Sequence, residues 1–453
     1  MSGGKGDAGR PVAFAHIAPP EALSGELFRC FFGSTTQMNL LWLAHAIPYP
    51  PKAGFLLRSY NLLRELAKRQ TVDLIAFVQE PWMRTLFPTL EQGILESRAA
   101  LNEFCRTVTF LPIESVQRPL GKERAALSAL LRGDSYTGSW LVSAAAGEVI
   151  AAQLRATQYD VVHFDTIGLA PYRPLVQDTV ATTLTHHNIE SHLLFRRAEN
   201  TTNPAAKAYF RLEGRRVEAL ERGTAASFAA HITCSQLDSA RLRRIVPGAR
   251  SLVVPNGVDC DYFRPNGNPI RPNSLIFVGT MNWYPNVDAM LFFLKDIWPL
   301  LKARIPTLTL DIAGSNPPAV ILELGKSLPG VTVHGYVPDI RPLLDSAAIF
   351  VCPIRDGGGT KLKILDAFAM GKCVVAHPIA CEGINATAGH EVVHARTPEE
   401  YEIAITSLLN DENRTFQIGS AARQLVERDY SFRAIGTEFS ATMESLARSN
   451  QVH

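Results

Sequence analysis

Residues 350–367 read FVCPIRDGGGTKLKILDA, and the class of fold can be predicted from this segment. An apolar strand runs into three glycines, and these lead into a helix with Lys361 and Lys363 in its first turn. Strand, turn and helix in this order form one βα unit of a parallel sheet. Glycines let backbone N–H groups approach an anion closely, and the helix N-terminus adds a positive dipole end. The segment predicts an anion-binding turn in an α/β protein; the alternative is a solvated glycine turn with two surface lysines.

Asp366 is a further candidate on the same helix, one turn beyond Lys361. Its carboxylate can accept two hydroxyl hydrogens at once, such as those that a ribose offers. The alternative is an ordinary aspartate on a helix surface. No GxxxxGK[ST] motif is present and no GxGxxG motif follows a strand, which disfavours a P-loop and a dinucleotide-dependent dehydrogenase.

Apolar strand patterns alternate with helical patterns from residue 38 onward. This alternation predicts two doubly wound, Rossmann-like domains, each a parallel sheet with helices on both faces. Two such domains face each other across a cleft between their strand ends. The predicted parts are an N-terminal extension, an N-terminal domain, a linker rich in Pro, Asn and Gly, a C-terminal domain and a C-terminal helix, at residues 1–37, 38–263, 264–273, 274–430 and 431–453.

The composition excludes several classes of protein. The chain has 453 residues, with 45 Lys and Arg against 43 Asp and Glu, and its net charge of +2 gives no overall basic field for nucleic acid. The apolar runs are far shorter than the roughly 20 residues of a membrane-spanning helix. The seven cysteines form no CxxC pair. This favours buried free thiols in a reducing compartment, and we expect a cytoplasmic protein without a clustered zinc site.

Two polar segments of the N-terminal domain are candidates for the ligand-facing edge of its sheet. A strand ends in the sequence His-His-Asn at residues 186–188, and polar groups at the carboxyl end of a parallel strand lie where ligands bind. One of the two histidines, His186 or His187, is predicted to donate a hydrogen bond to a substrate; a structural histidine and a metal ligand are the alternatives. The second segment is the loop PYPPKAG at residues 48–54, which ends at Gly54 and precedes Arg58.

In this order, the segments resemble the retaining glycosyltransferases of family 4, which have the GT-B fold. The resemblance covers about residues 38–449 and is greatest to the branch found in bacterial exopolysaccharide gene clusters. That branch has "PYPP…G", here residues 48–54, and "HN.ES", here residues 187–191. It also has "VG.M.W.PN.DA" and "GGGT.LKIL.A", here residues 278–289 and 357–367. The combination is specific, whereas each motif alone is not.

The resemblance implies that the C-terminal domain binds a nucleotide-sugar donor and the N-terminal domain binds a glycan or lipid-linked acceptor. His187, which reaches the donor sugar, and Lys361, which faces the diphosphate, are the implied catalytic residues. Asp366 corresponds to the acid that holds the ribose. Neither a cofactor nor a metal is required. The other expected donor-binding residues are Gly279, Gly357, Gly358, Gly359, Thr360 and Lys363, and the expected acceptor-side residues are Gly54, Arg58 and Asn188.

The sequence departs from the family pattern in the donor-binding region. Gly358 stands where the family has the first Glu of its E-x7-E motif, and the second acid is an Asp. Thr280 and the pair Pro285-Asn286 replace a common Arg and Lys-Gly. Two alternatives to a transferase are therefore a sugar-nucleotide epimerase of the same architecture and a catalytically inactive partner subunit of a polysaccharide assembly complex.

Two remaining segments have alternative interpretations. Residues 259–261, Asp-Cys-Asp, form a DxD pattern that binds a divalent metal in some sugar transferases, but they follow a tight Asn-Gly turn and lead into the linker. This position favours turn chemistry over a metal site. Residues 118–140 combine basic and apolar side chains, so they either form a peripheral contact with the inner face of a membrane or an ordinary surface helix.

Overall fold

The computed structural model describes residues 37–451, except residues 53, 118–120, 282 and 357–358. The predicted extension, apart from Gln37, lies outside the described residues. The described part contains two separate sheets, and every pair of neighbouring strands within them is parallel. This architecture confirms the predicted α/β class with two doubly wound, Rossmann-like domains.

The first sheet has seven strands in the order β3-β2-β1-β4-β5-β6-β7. These strands are β1 Asn39–Ala44, β2 Thr71–Val78, β3 Thr107–Pro112, β4 Val161–Phe164, β5 Ala181–His186, β6 Ala230–Thr233 and β7 Ser251–Val253. The strand order changes direction between β1 and β4. A crevice opens beyond the carboxyl ends of the strands at such a switch point, and ligands of doubly wound sheets bind there.

In the part of the chain that the structure describes, ten α-helices lie between and after these strands, together with the 3-10 helices Ile167–Leu175 and Ala225–Ser227. The α-helices are α1 Gly54–Ala67, α2 Glu80–Leu86, α3 Leu90–Asn102, α4 Glu114–Gln117, α5 Gly121–Arg132, α6 Tyr136–Ser139, α7 Ala144–Ala156, α8 Glu190–Glu199, α9 Pro204–Thr224 and α10 Gln236–Ile245. Side-chain caps begin several of them: Thr89 accepts a hydrogen bond from the Gln92 amide, and Ser143 accepts one from the Ala146 amide. Sequence patterns predict α1, α3, α5, α7 and α9 but not α2, α4, α6, α8 and α10, which are too short for clear periodicity.

The second sheet has six strands in the order β10-β9-β8-β11-β12-β13, with its switch point between β8 and β11. The strands are β8 Ser274–Val278, β9 Thr309–Ala313, β10 Val331–Gly335, β11 Ile349–Cys352, β12 Cys373–Ala376 and β13 Val393–His394. The helices are α11 Tyr284–Phe292, α12 Trp298–Arg304, α13 Ala319–Ser327, α14 Arg341–Ser346, α15 Leu362–Ala369, α16 Pro398–Leu409, α17 Glu412–Leu425 and α18 Phe432–Gln451.

One predicted helix is interrupted. The apolar spacing over residues 287–301 is typical of one continuous helix, but Phe293–Ile297 forms a π-helical turn between α11 and α12. Pro299 lies in the first turn of α12, where its missing N–H removes an i→i−4 hydrogen bond. The apolar spacing predicted the buried face correctly, because Phe293, Ile297 and Trp298 are all buried.

Strand β1 shows why the sheet lies between two layers of helices. Its sequence, NLLWLA, is apolar without alternation, as expected of a parallel strand covered on both faces. Leu40 and Trp42 belong to one core cluster, and Leu41 and Leu43 belong to a second cluster on the opposite face. All four side chains are fully buried.

The last helix, α18, follows the second sheet in sequence but packs on the first one. Its Phe439 and Met443 are buried in the core cluster that contains Trp42. A Cβ on Gly436 would lie 2.2 Å from Glu65 Cβ of α1, so this close approach of two helices requires glycine. None of the described helices is both long and apolar enough to cross a membrane.

The DxD segment forms a turn beside α1. Asp259 Oδ1 accepts hydrogen bonds from the backbone amides of Asp261 and Tyr262. Its Oδ2 lies 3.1 Å from a guanidinium nitrogen of Arg64. Both oxygens of Asp259 therefore stabilise the turn that leads from β7 towards the linker.

Candidate functional site

The candidate site lies where the strand ends of the two sheets face each other. On the first sheet, His45, Asp165 and His187 follow β1, β4 and β5, which places them at its switch point. On the second sheet, Gly279 follows β8 and the glycine turn follows β11, again at the switch point. Parallel strands bring these residues together although they are far apart in sequence.

The first half of the site is built around a buried carboxylate. Asp165 Oδ1 lies 3.3 Å from His187 Nε2, and Asp165 Oδ2 accepts a hydrogen bond of 2.5 Å from the Ser59 hydroxyl. Asp165 is 2% exposed, so water does not screen the ion pair effectively. His187 Nε2 is itself buried and faces Asp165 as an ion-pair partner, without the geometry of a hydrogen bond to any described residue.

The electrostatics favour a charged His187. Burial alone would lower the pKa of His187, but the Asp165 carboxylate outweighs burial and raises that pKa to about 10. Burial opposes ionisation of Asp165, yet the charge of His187 holds its pKa below the usual value. Burial lowers the pKa of neighbouring His45 to about 4, so this ring stays neutral. The pair therefore presents an imidazolium, held by a carboxylate, at the edge of the cleft.

The same residues form the one group in the described part of the chain that could hold a metal ion. His45, Asp165 and His187 each offer a ligand atom, and these atoms lie within 4.8 Å of one another. Two imidazoles and a carboxylate suit several first-row transition metals. The cluster was not predicted from the sequence, since its members are separated by long stretches of chain.

The second half of the site is the turn between β11 and α15. The sequence placed Lys361 inside the helix, but the helix begins at Leu362 and Lys361 is its N-cap residue. Lys361 is 4% exposed, its pKa is lowered mainly by burial, and its Nζ donates a 2.8 Å hydrogen bond to the Gly359 carbonyl. This bond ties the lysine to the glycine turn; Gly357 and Gly358 lie outside the described residues.

Lys363 and Asp366 lie on α15 beside Gly279. Lys363 Nζ donates a 2.5 Å hydrogen bond to Asn286 Oδ1 of α11 and stands over the Phe277 ring. A Cβ on Gly279 would lie 2.4 Å from Lys363 Nζ, so only glycine leaves room for this amine. Burial lowers the pKa of Lys363 to about 8. Burial raises the pKa of Asp366 to about 7, although Lys363 opposes this shift.

Three close approaches connect the two halves of the site. A Cβ on Gly54, at the start of α1, would lie 3.3 Å from Leu362 Cδ1. A Cβ on Gly359 would lie 3.5 Å from Asn188 Oδ1. Gly383 is packed between Thr360 and Ser235, and the buried Thr360 hydroxyl has no hydrogen-bond partner among the described residues. The structure therefore brings the predicted acceptor-side residues Gly54 and Asn188 next to the predicted donor-binding turn.

Arg58 requires a correction. It was predicted to face an acceptor, but its side chain is buried and its guanidinium donates hydrogen bonds to the carbonyls of Val254 and Pro255 and to Asn256 Oδ1. These bonds fasten α1 to the end of β7. Arg58 is therefore a structural residue behind the cleft.

The sequence also missed several residues of the site. His45, Asp165 and Ser59 support His187, and Asn286 supports Lys363. Position at the carboxyl end of a predicted strand is the signal that could have identified His45 and Asp165. No comparable signal marks Ser59 or Asn286, which lie within helices.

A second pair of histidines predicts acid-sensitive stability. His186 Nε2 and His231 Nδ1 lie 3.0 Å apart, and His231 Nε2 lies 3.3 Å from the Ala225 carbonyl. Burial and His231 lower the pKa of His186 to about 3, and burial also lowers the pKa of His231. The unfolded chain therefore takes up more protons below pH ~6.5. We expect the free energy of unfolding to fall by about 1.4 kcal/mol per pH unit for each neutral histidine as the pH drops from 6.5.

Denaturant unfolding at several pH values between 7 and 5 measures this effect. His231→Gln keeps a hydrogen-bonding side chain but removes one titrating group, so its stability should depend less steeply on pH. Equal slopes in the two proteins would contradict the assignment.

Comparison with known proteins agrees with this geometry. The family model described as "Glycosyltransferase Family 4" matches residues 122–262, and the model "Glycosyl transferases group 1" matches residues 272–411. An uncharacterised 44.6 kDa protein in the cps region of Klebsiella pneumoniae is 22% identical over 169 residues. That match covers 36% of this chain and 44% of the relative. The chain therefore spans less than half the length of the curated relative.

Solved structures show the same fold. HepE of Anabaena in complex with UDP is 15% identical with a TM-score of 0.61, covering 90% of this chain and all of that chain. Sucrose-phosphate synthase of Thermosynechococcus elongatus is 15% identical with a TM-score of 0.64, covering 91% of this chain and all of that one. The architecture is GT-B, with two Rossmann-like domains facing across a cleft. The chain belongs to the glycosyltransferases of the family 4 type.

Proposed function

We propose that the protein is a retaining glycosyltransferase that moves a sugar from a nucleotide-sugar donor to a glycan or lipid-linked acceptor. The observation that carries the proposal is the meeting of two polar half-sites in one cleft, an imidazolium–carboxylate pair on the first sheet and a lysine-bearing glycine turn on the second. The relative in a cps region supports a role in surface polysaccharide or exopolysaccharide synthesis. HepE, a protein of the same fold, binds UDP and UDP-glucose, which supports a nucleotide-sugar donor.

In this proposal the second domain binds the nucleotide diphosphate. Lys361 and Lys363 provide positive charge beside the glycine turn and the N-terminus of α15, where a diphosphate is stabilised. The stabilisation increases as the leaving diphosphate gains charge in the transition state, so it lowers the barrier. Asp366 accepts hydrogen bonds from the two ribose hydroxyls, and these bonds favour the ionised carboxylate.

The first domain orients the sugar and the acceptor. His187 faces Asp165 with Nε2 and is held charged by it, and its imidazolium ring donates a hydrogen bond to a hydroxyl of the donor sugar. The acceptor hydroxyl attacks on the face from which the diphosphate leaves, and the diphosphate accepts its proton. The cleft aligns the two substrates and excludes water that would otherwise hydrolyse the donor.

Product analysis tests the proposal. The protein is incubated with a panel of nucleotide sugars, with and without lipid-linked glycan acceptors, and the products are identified by mass spectrometry and by the anomeric signals in NMR spectra. We expect a glycosylated acceptor that retains the donor's anomeric configuration. An isomerised nucleotide sugar formed without acceptor would identify an epimerase, and no turnover of any donor would identify an inactive partner subunit.

We expect EDTA to leave the transferase activity unchanged, because the charged groups around the turn stabilise the diphosphate without a metal in this proposal. Activity is measured after chelation, with and without added Mn²⁺ or Zn²⁺. Loss of activity that a metal restores would contradict the prediction. In that case His45→Ala would prevent restoration if the metal binds the His45–Asp165–His187 cluster, whereas Asp261→Asn would prevent it if the metal binds the DxD turn.

A peripheral membrane contact is also part of the proposal. Helix α5 exposes Leu127, Leu130 and Leu131 at i, i+3 and i+4 spacing, with Leu131 79% exposed, and carries Arg124 and Arg132. Such a surface can lie on anionic lipid and bring a lipid-linked acceptor to the cleft. The variant that tests this contact replaces four basic residues of the segment by Gln, namely Arg118, Lys122, Arg124 and Arg132; Arg118 lies outside the described residues.

We expect this fourfold Gln variant to lose binding to anionic liposomes in a co-sedimentation assay. A matched control replaces four exposed basic residues of the second domain by Gln, namely Arg304, Lys326, Arg396 and Arg428. Equal binding by both variants would contradict the assignment of α5 to the membrane.

A further inference from the structure

An ion pair crosses the cleft beside the candidate diphosphate site. Arg196 lies near the end of α8, the first helix after His187. Its guanidinium is 2.5 Å from Oδ1 of Asp356, which immediately precedes the glycine turn of the second domain. Asp356 Oδ2 also accepts a 3.3 Å hydrogen bond from the Tyr284 hydroxyl. A cation of one domain is thus held at the edge of the other domain's anion-binding turn.

The pair is close to the buried amine of Lys361. Burial is the main cause that lowers the pKa of Lys361; Arg196 lowers it further, and Asp356 raises it. Both charges of the pair are therefore near enough to act on the lysine that faces the proposed diphosphate. An anion bound by Lys361 would lie within the field of the Arg196 guanidinium.

We propose that Arg196 is a diphosphate-binding residue supplied by the first domain, and that the Asp356 carboxylate competes with the diphosphate for its guanidinium. This inference rests on the proposed function, because it assumes that the glycine turn binds a nucleoside diphosphate. Arginine suits the role, since its planar fork can donate two parallel hydrogen bonds to phosphate oxygens.

The exposure of the pair allows the exchange. The Arg196 side chain is 30% exposed and the Asp356 side chain 36% exposed, and ion pairs with this access to water contribute little to stability. A diphosphate carries more negative charge than one carboxylate. It therefore displaces Asp356 as the partner of the Arg196 guanidinium. Because Arg196 and the glycine turn belong to different domains, a diphosphate bound by both also links donor binding to closure of the cleft.

Calorimetric titration of the full-length protein tests the inference. Wild-type protein is titrated with UDP, GDP, ADP and CDP. The diphosphate that binds most tightly, and the nucleoside it contains, are then titrated into each variant. We expect Arg196→Gln to weaken binding of the diphosphate by about tenfold or more, and Arg196→Lys to recover part of the loss. Asp356→Asn removes the competing charge and should strengthen diphosphate binding. Neither Arg196→Gln nor Asp356→Asn should change the affinity of the protein for the nucleoside.

Arg197→Gln is the matched control. Arg197 is the adjacent residue of α8, carries the same charge and stacks on the Phe210 ring, away from Asp356. Equal diphosphate affinity in the Arg196→Gln and Arg197→Gln proteins would overturn the role of Arg196 and leave the proposed function standing. An equal loss of nucleoside and diphosphate binding in Arg196→Gln would also overturn it, because the damage would then be structural. If the wild-type protein binds none of the four diphosphates, the proposed function and the inference are both overturned.

Discussion

Lys361→Ala is expected to lower kcat/KM for glycosyl transfer by about 30- to 900-fold, which corresponds to roughly 2–4 kcal/mol of transition-state stabilisation. The lysine is buried, occupies the N-cap position of α15 and donates a hydrogen bond to the Gly359 carbonyl, so its charge is fixed beside the glycine turn. A preorganised charge in a partly dehydrated cleft stabilises a leaving diphosphate far more than a mobile surface lysine would. Steady-state kinetics with the identified donor and acceptor measure the effect.

A second buried lysine provides the control for this variant. Lys372 is also almost fully buried, and its Nζ donates hydrogen bonds to the carbonyls of Asp345 and Ala347, away from the glycine turn. Lys372→Ala should lower the melting temperature but leave kcat/KM of the folded protein nearly unchanged. If Lys361→Ala behaves in the same way, Lys361 is a structural lysine and does not face the diphosphate.

Asp165→Asn is expected to lower kcat by about 100-fold at neutral pH and to make activity dependent on pH. With Asp165 ionised, the pKa of His187 is about 10, so the imidazolium persists from pH 6 to 9. Without the carboxylate, burial is the largest influence that remains, and it outweighs the opposing effect of Cys234. We therefore expect the pKa of His187 to fall below its usual value and the ring to be neutral at pH 7. Activity of the variant should rise as the pH falls from 8 to 6, whereas wild-type activity should change little.

Two variants separate this effect from a loss of structure. His187→Gln cannot titrate, so its activity should be low at every pH between 6 and 8. Asp160→Asn makes the same substitution at the opposite end of β4, where Asp160 accepts a hydrogen bond from the Asn39 amide. We expect it to affect stability more than kcat. A flat pH profile for Asp165→Asn would show that His187 does not act as an imidazolium.

Local sequence patterns were sufficient to predict both sheets and their ligand-facing edges. Apolar runs such as NLLWLA in β1 are typical of strands in a parallel sheet covered on both faces, and this local property does not depend on distant residues. The conformation of the glycine turn before α15 is also determined locally, because Gly359 has a φ of +72°, which glycine adopts without steric cost. The π-helical turn at Phe293–Ile297 was not predicted, because its apolar spacing resembles that of a continuous α-helix.

The roles of individual site residues depend on contacts between distant parts of the chain. Arg58 follows a ligand-facing loop in sequence, yet its guanidinium binds a carbonyl 196 residues away and becomes structural. Arg196 has no distinguishing sequence pattern, and Asp165 is marked only by its position after a strand. Their partners, His187 and Asp356, come from another strand end and from the other domain. The sequence alone determined the two parallel sheets, the glycine turn and the polar strand ends, because periodicity and turn chemistry are local. Only the tertiary structure decided which charges are paired and buried, because pairing and burial are properties of the packed chain.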